Sequence, residues 1–270
     1  MSIKIIYLLG LGHSGTTLLG RLLGAHSDVV ATGGTKNIPL FVRGRKSCTC
    51  GAIEPDGCPF WSRVDRALRE RGRSLATLEC GYDDQKRLNH QALTDYYSAV
   101  LEASGATVIV DTSRRRTYFS QLEQNPDLEL IPVHLFKDPR RQHSSSKRKG
   151  RSLLHTVLTY ANRGRRIRGM RPRGHPVLHL SYEDLCSDPR VELNRIMQTV
   201  GLEFQQRQLS EFGTTESHIL GGNRQRADKS STIRLDESWK WRLSSMETGL
   251  VMLFNGRGYR KNLSLTRQGL

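Results

Sequence analysis

Long apolar runs are absent from this sequence, and cysteines and acidic residues are few. No stretch of about 18 apolar residues is present, so no transmembrane helix is predicted. Residues 3–9 are apolar, but this stretch is too short and too soon followed by glycine for a secretory signal, and we expect a cytoplasmic protein. Five cysteines among 270 residues argue against a disulfide framework.

The shortage of acidic residues leaves a strongly basic chain. Lys and Arg number 42 against 26 Asp and Glu, which gives a net charge of +16. Such an excess predicts an anionic partner, which is a nucleotide, a nucleic acid, an acidic glycan or a membrane surface. A basic surface without a specific partner would have the same composition, so the charge alone does not identify the ligand.

A missing lysine is the most informative absence. Gly10 and Gly15 have the spacing of the phosphate-binding loop of nucleoside triphosphatases, in which Lys and then Ser or Thr follow the second glycine. Thr16 occupies the position of that lysine. Backbone N–H groups at the start of the following helix still favour an anion. The loop therefore predicts a phosphate-bearing ligand that is not hydrolysed as a triphosphate, bound by Gly12, His13, Ser14, Gly15, Thr16 and Thr17.

Short apolar segments alternate with segments of helical period. Strands are predicted at 3–9, 29–32, 107–110, 130–136 and 177–180, and helices near 59–72, 85–104, 114–124, 152–168 and 189–200. This alternation predicts an α/β fold, a P-loop-containing three-layer α/β/α arrangement with a central, mostly parallel sheet. We expect one domain over residues 1–270, with a less regular tail from about 205. Two irregular and basic segments, at about 36–60 and 150–175, are expected to lie on the acceptor side and to shape the acceptor pocket.

Four polar segments lie where a predicted strand ends or a helix begins: 10–17, 111–114, 136–140 with Ser145, and 221–226 followed by 236–240. Ligands of such sheets bind outside the carboxyl ends of the strands. Basic and hydroxyl groups that converge there suit a ligand with phosphates at both of its ends.

These segments, in this order, resemble the motifs of sulfotransferases that use 3′-phosphoadenosine-5′-phosphosulfate (PAPS), in the bacterial branch akin to tyrosylprotein and carbohydrate sulfotransferases. Residues 10–19 resemble the loop that binds the 5′-phosphosulfate, and Lys137-Asp-Pro-Arg with Ser145 resembles the 3′-phosphate motif. Tyr182-Glu-Asp-Leu is similar to a motif near the adenine, and residues 221–226 with 236–239 resemble the C-terminal segment that closes over the 3′-phosphate. The resemblance covers residues 3 to about 242.

The resemblance implies transfer of a sulfuryl group from PAPS to a hydroxyl or amine by in-line displacement, with no metal required. It implies donor contacts at Lys137, Ser145, Tyr182, Asn223, Arg224 and Arg226 and closure of a segment at about 215–242. The acceptor is expected to be a polar or acidic small molecule, glycan or peptide. The alternatives are a P-loop kinase or other nucleotide-binding enzyme, and a basic nucleic-acid-binding protein; the latter explains the charge but not the order of the motifs, and we expect no specific nucleic acid.

Two positions depart from the family pattern. His13 stands where relatives have Arg or Lys, so it is a candidate catalytic residue that is either protonated or a neutral hydrogen-bond donor, with simple packing as the alternative. Gly34 stands where relatives often carry a Glu base. Asp111 is the first candidate to replace that base, and a structural helix cap is its alternative. His143 and Glu54 are weaker candidates.

The cysteines offer a further interpretation. Cys48-x-Cys50-Gly and Cys58-Pro-Phe-Trp also occur in bacterial members of that family. Zinc ligation by the three thiols, with Cys80 or a histidine as fourth ligand, is the alternative interpretation, but the spacing differs from the common Cys-x2-Cys pairs. The sequence favours reduced thiols or one labile disulfide, and no metal ligand is predicted.

Overall fold

A computed structural model describes residues 2–78, 89–221 and 228–267. The predicted donor contacts Asn223, Arg224 and Arg226 lie outside the described residues, as does Cys80. The strands are β1 Ile3–Gly10, β2 Val29–Gly33, β3 Val108–Arg114, β4 Leu128–Phe136 and β5 Leu178–Ser181. The helices are α1 Thr16–Gly24, α2 Ile38–Val42, α3 Pro59–Glu70, α4 His90–Ser104, α5 Arg116–Leu122, α6 Pro139–Lys147, α7 Leu153–Arg168, α8 Tyr182–Ser187, α9 Pro189–Thr199, α10 Arg207–Ser210, α11 Trp239–Arg242 and α12 Ser245–Thr266.

The five strands form one sheet in the order β2-β3-β1-β4-β5, and every paired strand is parallel to its neighbour. Successive side chains of β1 point to opposite faces. Ile5 and Leu9 enter an apolar cluster with α3 and α4, whereas Ile6 and Leu8 enter a second cluster with α1 and α9. The predicted three-layer α/β/α fold is therefore confirmed.

The central position of β1 determines where the site lies. Because β1 runs between β3 and β4, the loop after Gly10 opens at the carboxyl edge of the sheet, beside the ends of both neighbours. The short 3-10 turn Thr35–Asn37 follows β2 at the same edge. Segments that are far apart in the chain thus meet at one place, as expected for a parallel sheet.

The prediction of a less regular tail from about 205 is wrong for residues 245–266, which form the 22-residue helix α12. Few of its apolar residues are buried, and Leu253 and Phe254 are exposed, so the apolar periodicity is weak. The helix packs through polar contacts instead, such as the 2.8 Å hydrogen bond that Arg168 donates to Asn262 Oδ1. The sequence did contain one indication of where this helix begins, because Ser244 and Glu247 have the spacing of a capping box and form one in the structure. Likewise, the segment at 150–175 is not irregular throughout, since α7 lies within it.

None of the helices in the described ranges, α12 included, combines the length and the apolar character that crossing a bilayer demands.

Candidate functional site

The glycine-rich loop connects β1 directly to α1. A Cβ at Gly10 would lie 2.5 Å from the carbonyl oxygen of Leu135, so only glycine fits beside β4. Gly15 caps α1 in the left-handed region, with a φ of 101°, and no side chain caps this end of the helix. Thr16 and Thr17 line a cavity of about 490 Å³ at this end. The helix terminus thus offers its first N–H groups and its positive dipole end to a ligand.

Side-chain hydrogen bonds hold the loop in place. Ser14 is buried and donates through Oγ to the carbonyl of Leu11 at 2.9 Å, so this predicted cofactor residue closes the loop and does not line the cavity. Gln142 of α6 donates through Nε2 to the carbonyl of Gly12 at 2.6 Å. Sequence reasoning did not identify Gln142, because nothing in a helix sequence indicates which distant carbonyl a side chain will reach.

His13 lies at the boundary of two cavities. Its φ of 72° is in the left-handed region, which is uncommon for a residue other than glycine. Gly12, His13 and Lys36 line both the cavity at α1 and a second cavity of about 290 Å³ on the side of α7. Arg114 and Arg115 line both cavities as well. A group passing from one cavity to the other would meet these side chains.

The boundary residues have lowered pKa values. Burial lowers the pKa of His13, and the charges of Arg114 and Lys149 lower it further, so the imidazole is neutral at neutral pH. Burial, followed by Arg114 and Arg115, lowers the pKa of Lys36 to about 8. An uncharged imidazole and a lysine that titrates near neutrality therefore lie at the same boundary.

Lys36 was missed as a functional residue in the sequence. It lies in the turn after β2, two residues beyond Gly34, and the sequence placed it only at the start of the broad acceptor-side segment 36–60. Its position close to the end of β2 was the signal that could have identified it.

Tyr182 connects the loop to Lys137. A Cβ at Gly15 would lie 2.4 Å from a carbon of the Tyr182 ring, so the ring rests on the loop backbone. Lys137 Nζ lies 4.0 Å from the centroid of the same ring. The structure thus brings the predicted 5′-phosphosulfate loop and the first residue of the predicted 3′-phosphate motif to one aromatic side chain.

Lys137 and Ser145 are buried and do not line the two cavities at His13. Arg148 Nη2 lies 3.5 Å from Ser145 Oγ and 3.1 Å from Asp236 Oδ2. Burial lowers the pKa of Lys137, and the Asp236 carboxylate opposes this effect. The Asp236 carboxylate therefore lies beside Arg148 and acts on Lys137, one of the residues for which the resemblance implies contact with the 3′-phosphate. This contact also places Arg148, from the basic run at 147–151, beside the predicted site.

Asp111 is fully buried and is not part of either cavity. Its Oδ2 accepts hydrogen bonds from Thr35 Oγ1 at 2.5 Å and from Tyr97 Oη at 3.0 Å, and its Oδ1 accepts from the Ser113 backbone N–H at 2.6 Å. This geometry does not support the assignment of Asp111 as the acceptor's base. It is also not a helix cap, since no side chain caps α5. Asp111 instead ties β3 to the turn that carries Lys36.

Substituting Asp111 by asparagine is expected to lower the free energy of unfolding by about 1–3 kcal/mol, because the amide NH2 must face one of the donors that the carboxylate now satisfies. Turnover per folded molecule should change far less than the roughly 100-fold loss that removal of a general base produces. Urea denaturation and steady-state kinetics measure the two effects, with Asp56→Asn at an exposed position as the matched control. A turnover loss of catalytic size at unchanged stability would restore Asp111 as the base.

The weaker candidates for the base are also away from the boundary. His143 is buried beside Glu247, with 3.7 Å between its Nε2 and the carboxylate. Glu54 is exposed in the loop before α3. Neither side chain lines the cavities at His13.

Comparison with known proteins gives two kinds of similarity. The sequence model described as "Sulfotransferase family" matches residues 6–206. A comparison with curated protein sequences gives no significant match. Among solved structures, the chain is similar to the sulfotransferase domain of the olefin synthase of Synechococcus PCC 7002, with 19% identity, a TM-score of 0.57 and coverage of 93% of this chain and 94% of that one. It is also similar to the sulfotransferase domain of the curacin biosynthetic pathway, with 15% identity, a TM-score of 0.51 and coverage of 94% and 98%. At these identities the structures support the fold.

Proposed function

The chain belongs to the sulfotransferase family, and from this premise we propose that it transfers a sulfuryl group from PAPS to a hydroxyl or amine of a polar or acidic acceptor. One observation carries the proposal. A phosphate-binding loop without the triphosphatase lysine opens on a cavity whose boundary is formed by His13 and Lys36. Such a site can hold a phosphosulfate and place its sulfur beside an imidazole and an ammonium group.

The donor would lie along the path from the loop to α6. The N-terminus of α1, with Thr16 and Thr17, binds the 5′-phosphosulfate, and Tyr182 lies between this phosphate and Lys137. The 3′-phosphate takes the place of the Asp236 carboxylate beside Lys137, Ser145 and Arg148. The roles of Asn223, Arg224 and Arg226 in closing over this phosphate stay predictions.

The reaction is an in-line displacement at sulfur. The acceptor oxygen or nitrogen forms a bond to sulfur while the bond from sulfur to the bridging phosphate oxygen breaks, and 3′-phosphoadenosine 5′-phosphate (PAP) leaves with the electron pair of that bond. The acceptor's proton passes to the imidazole of His13, which its lowered pKa keeps unprotonated at neutral pH. Lys36, mostly protonated at neutral pH, stabilises the negative charge that develops on the bridging oxygen.

The second cavity is the proposed acceptor site. Its lining includes Arg151 and Arg163, with His155 between them in sequence, besides the arginines that both cavities share. This concentration of cations favours an acceptor that carries a carboxylate, phosphate or sulfate over an uncharged lipid.

Donor selectivity tests the proposal and its alternatives together. PAP is expected to raise the unfolding midpoint, because it binds the native state, whereas ATP and duplex DNA should have little effect. Transfer of radiolabelled sulfate from PAPS to components of a cell extract then tests catalysis directly. A response to ATP alone would favour the kinase alternative, and a response to DNA alone would favour the nucleic-acid-binding alternative.

Lys137→Ala is expected to weaken PAP binding about 10- to 100-fold, the size of one charged hydrogen bond, and to leave the binding of AMP nearly unchanged. The reason is that AMP lacks the 3′-phosphate that Lys137 is proposed to bind. Isothermal titration with both nucleotides measures the difference, and Lys261→Ala removes an exposed lysine of α12 as a control for net charge. Equal weakening of PAP and AMP binding would show that Lys137 does not bind the 3′-phosphate.

A further inference from the structure

Three cysteines and one histidine meet outside the two cavities. Cys48, Cys50, Cys58 and His218 each point one ligand atom to a common centre, and these atoms lie within 4.8 Å of one another. Cys48 and Cys58 are buried, His218 is partly buried and Cys50 is exposed. A site with two buried thiols and an exposed edge is shielded from solvent yet accessible to an ion.

Four of the six separations among these ligand atoms are close to those of a tetrahedron around zinc, and the other two lie within 4.8 Å. Cys58 Sγ lies 3.6 Å from Cys50 Sγ and 3.8 Å from Cys48 Sγ. Zn–S bonds of about 2.3 Å in a tetrahedron separate two sulfurs by about 3.8 Å. His218 Nδ1 lies 3.2 Å from Cys58 Sγ and 3.7 Å from Cys48 Sγ. The corresponding sulfur-to-nitrogen separation in a zinc site is about 3.6 Å, given a Zn–N bond of about 2.0–2.1 Å.

No disulfide joins Cys48, Cys50 and Cys58 in this structure. A disulfide has an S–S bond of about 2.05 Å, whereas the sulfur pairs here are 3.6 and 3.8 Å apart. Cys48, Cys50 and Cys58 are all free. The three thiols are therefore available as ligands in this structure, and the labile disulfide stays a prediction.

The fourth ligand is oriented by its own partners. Glu216 Oε1 lies 2.9 Å from His218 Nε2, so this ring nitrogen donates to a carboxylate and leaves Nδ1 free to ligate. A carboxylate behind a ligating histidine is the usual arrangement at zinc sites. The His218 ring stacks on Phe60 with centroids 5.2 Å apart, and Trp61 Nε1 donates to the His218 carbonyl at 3.0 Å.

Backbone hydrogen bonds and one glycine turn hold the loop that carries Cys48 and Cys50. The Cys48 N–H donates to the Ala52 carbonyl at 2.8 Å, and the Gly51 N–H donates to the Cys48 carbonyl at 3.1 Å. Gly51 has a φ of 97°, which a residue with a Cβ would adopt only with strain, and this conformation turns the chain within that short loop. Cys58 is the residue immediately before α3.

We propose that Cys48, Cys50, Cys58 and His218 form a structural zinc site that fastens the loop before α3 to the segment around His218. Three thiolates and one imidazole fill all four positions of a tetrahedral site and leave none for an exogenous ligand, which is typical of structural zinc. Hydrogen bonds join the same two segments beside the cluster: Thr49 Oγ1 donates to the Ser217 carbonyl, and the Ile219 N–H donates to Thr49 Oγ1 at 3.0 Å. The ion takes no part in sulfuryl transfer, so the expectation that the reaction needs no metal is unaffected.

Metal analysis of the full chain tests the site. Protein purified under reducing conditions, with any affinity tag removed, is expected to contain about one Zn²⁺ per chain. Cys50→Ser changes an exposed side chain, so its fold should survive, and it should lose zinc on dialysis against a chelator that leaves the native chain loaded. His218→Ala should behave in the same way. Cys186→Ser removes the one other free cysteine in the described ranges and should keep its zinc.

Cobalt provides a second readout that does not depend on activity. Replacement of zinc by Co²⁺ is expected to give thiolate-to-cobalt charge-transfer absorption and the intense visible bands of tetrahedral cobalt, both lost in Cys50→Ser. Three results would each overturn the proposal: a native chain without zinc whose thiols are reduced, a native chain with a Cys50–Cys58 disulfide, or native zinc retention in both Cys50→Ser and His218→Ala.

Discussion

His13→Asn is expected to lower kcat for sulfuryl transfer about 100- to 10,000-fold, which is the contribution of a positioned general base. The Kd for PAP should stay within about threefold, because the backbone of the loop, not the imidazole, holds the phosphate. Asparagine is chosen because it tolerates the left-handed backbone that His13 adopts, so the loop keeps its shape. Single-turnover rates and isothermal titration with PAP separate the two quantities.

Two further variants decide what His13 does. His13→Arg restores the residue type that relatives carry at this position, and it should stay inactive, because a guanidinium cannot accept a proton at neutral pH. Recovery of activity in His13→Arg would show that His13 acts as a cation. His175→Ala replaces a half-buried histidine outside both cavities and is expected to leave kcat unchanged. Turnover of His13→Asn equal to that of the native chain would remove His13 from catalysis.

Lys36→Met is expected to lower kcat about 100- to 1,000-fold, the loss found when one electrostatic stabiliser of a transition state is removed. The pH profile gives a more specific signature, because kcat/KM reports the pKa values of the free enzyme. Activity should fall as the pH rises through about 8, where Lys36 loses its charge. It should also fall as the pH drops below the lowered pKa of His13, where the imidazole becomes protonated.

Lys36→Arg tests the alkaline limb of that profile. Arginine keeps its charge far above pH 8, so the decline near pH 8 should disappear in this variant. Lys261→Ala, at an exposed position, should keep the native profile and so control for the titration of the substrates. An alkaline limb that persists unchanged in Lys36→Arg would show that another group titrates there. In Asp111→Asn the same limb should move to lower pH, because the Asp111 carboxylate raises the pKa of Lys36.

Much of the fold was predictable because its signals are local. Each predicted strand is confirmed, with ends that move by a few residues, as in Leu128–Phe136 for the predicted 130–136. Buried parallel strands are short and continuously apolar, and such runs can be recognised without a partner. The helix α12 was not predicted because polar contacts, such as that between Arg168 and Asn262, replace the apolar stripe on which helix prediction depends.

Some residues of the candidate site could likewise be predicted from the sequence, and others could not. Gly15, Thr16 and His13 could be identified from the loop alone, because the spacing of glycines before a helix determines where an anion can bind. The burial of Asp111 could not be predicted, because a carboxylate after a strand has the same sequence signature whether it faces a cavity or, as here, is enclosed by Thr35 and Tyr97. Only the burial of the side chain distinguishes the two cases.

The alternation of strands and helices, the glycine-rich loop before α1 and the strongly basic charge can all be read from the amino-acid sequence, since each depends on neighbours in the chain or on composition. The tertiary structure decided which distant groups share a site. It brought Lys36 to His13 across the end of the sheet, and it brought His218 to the thiol of Cys58, 160 residues earlier in the chain. Spacing along the chain carries no information about such pairs, because the packing of strands and loops, and not sequence separation, sets the distance between their atoms.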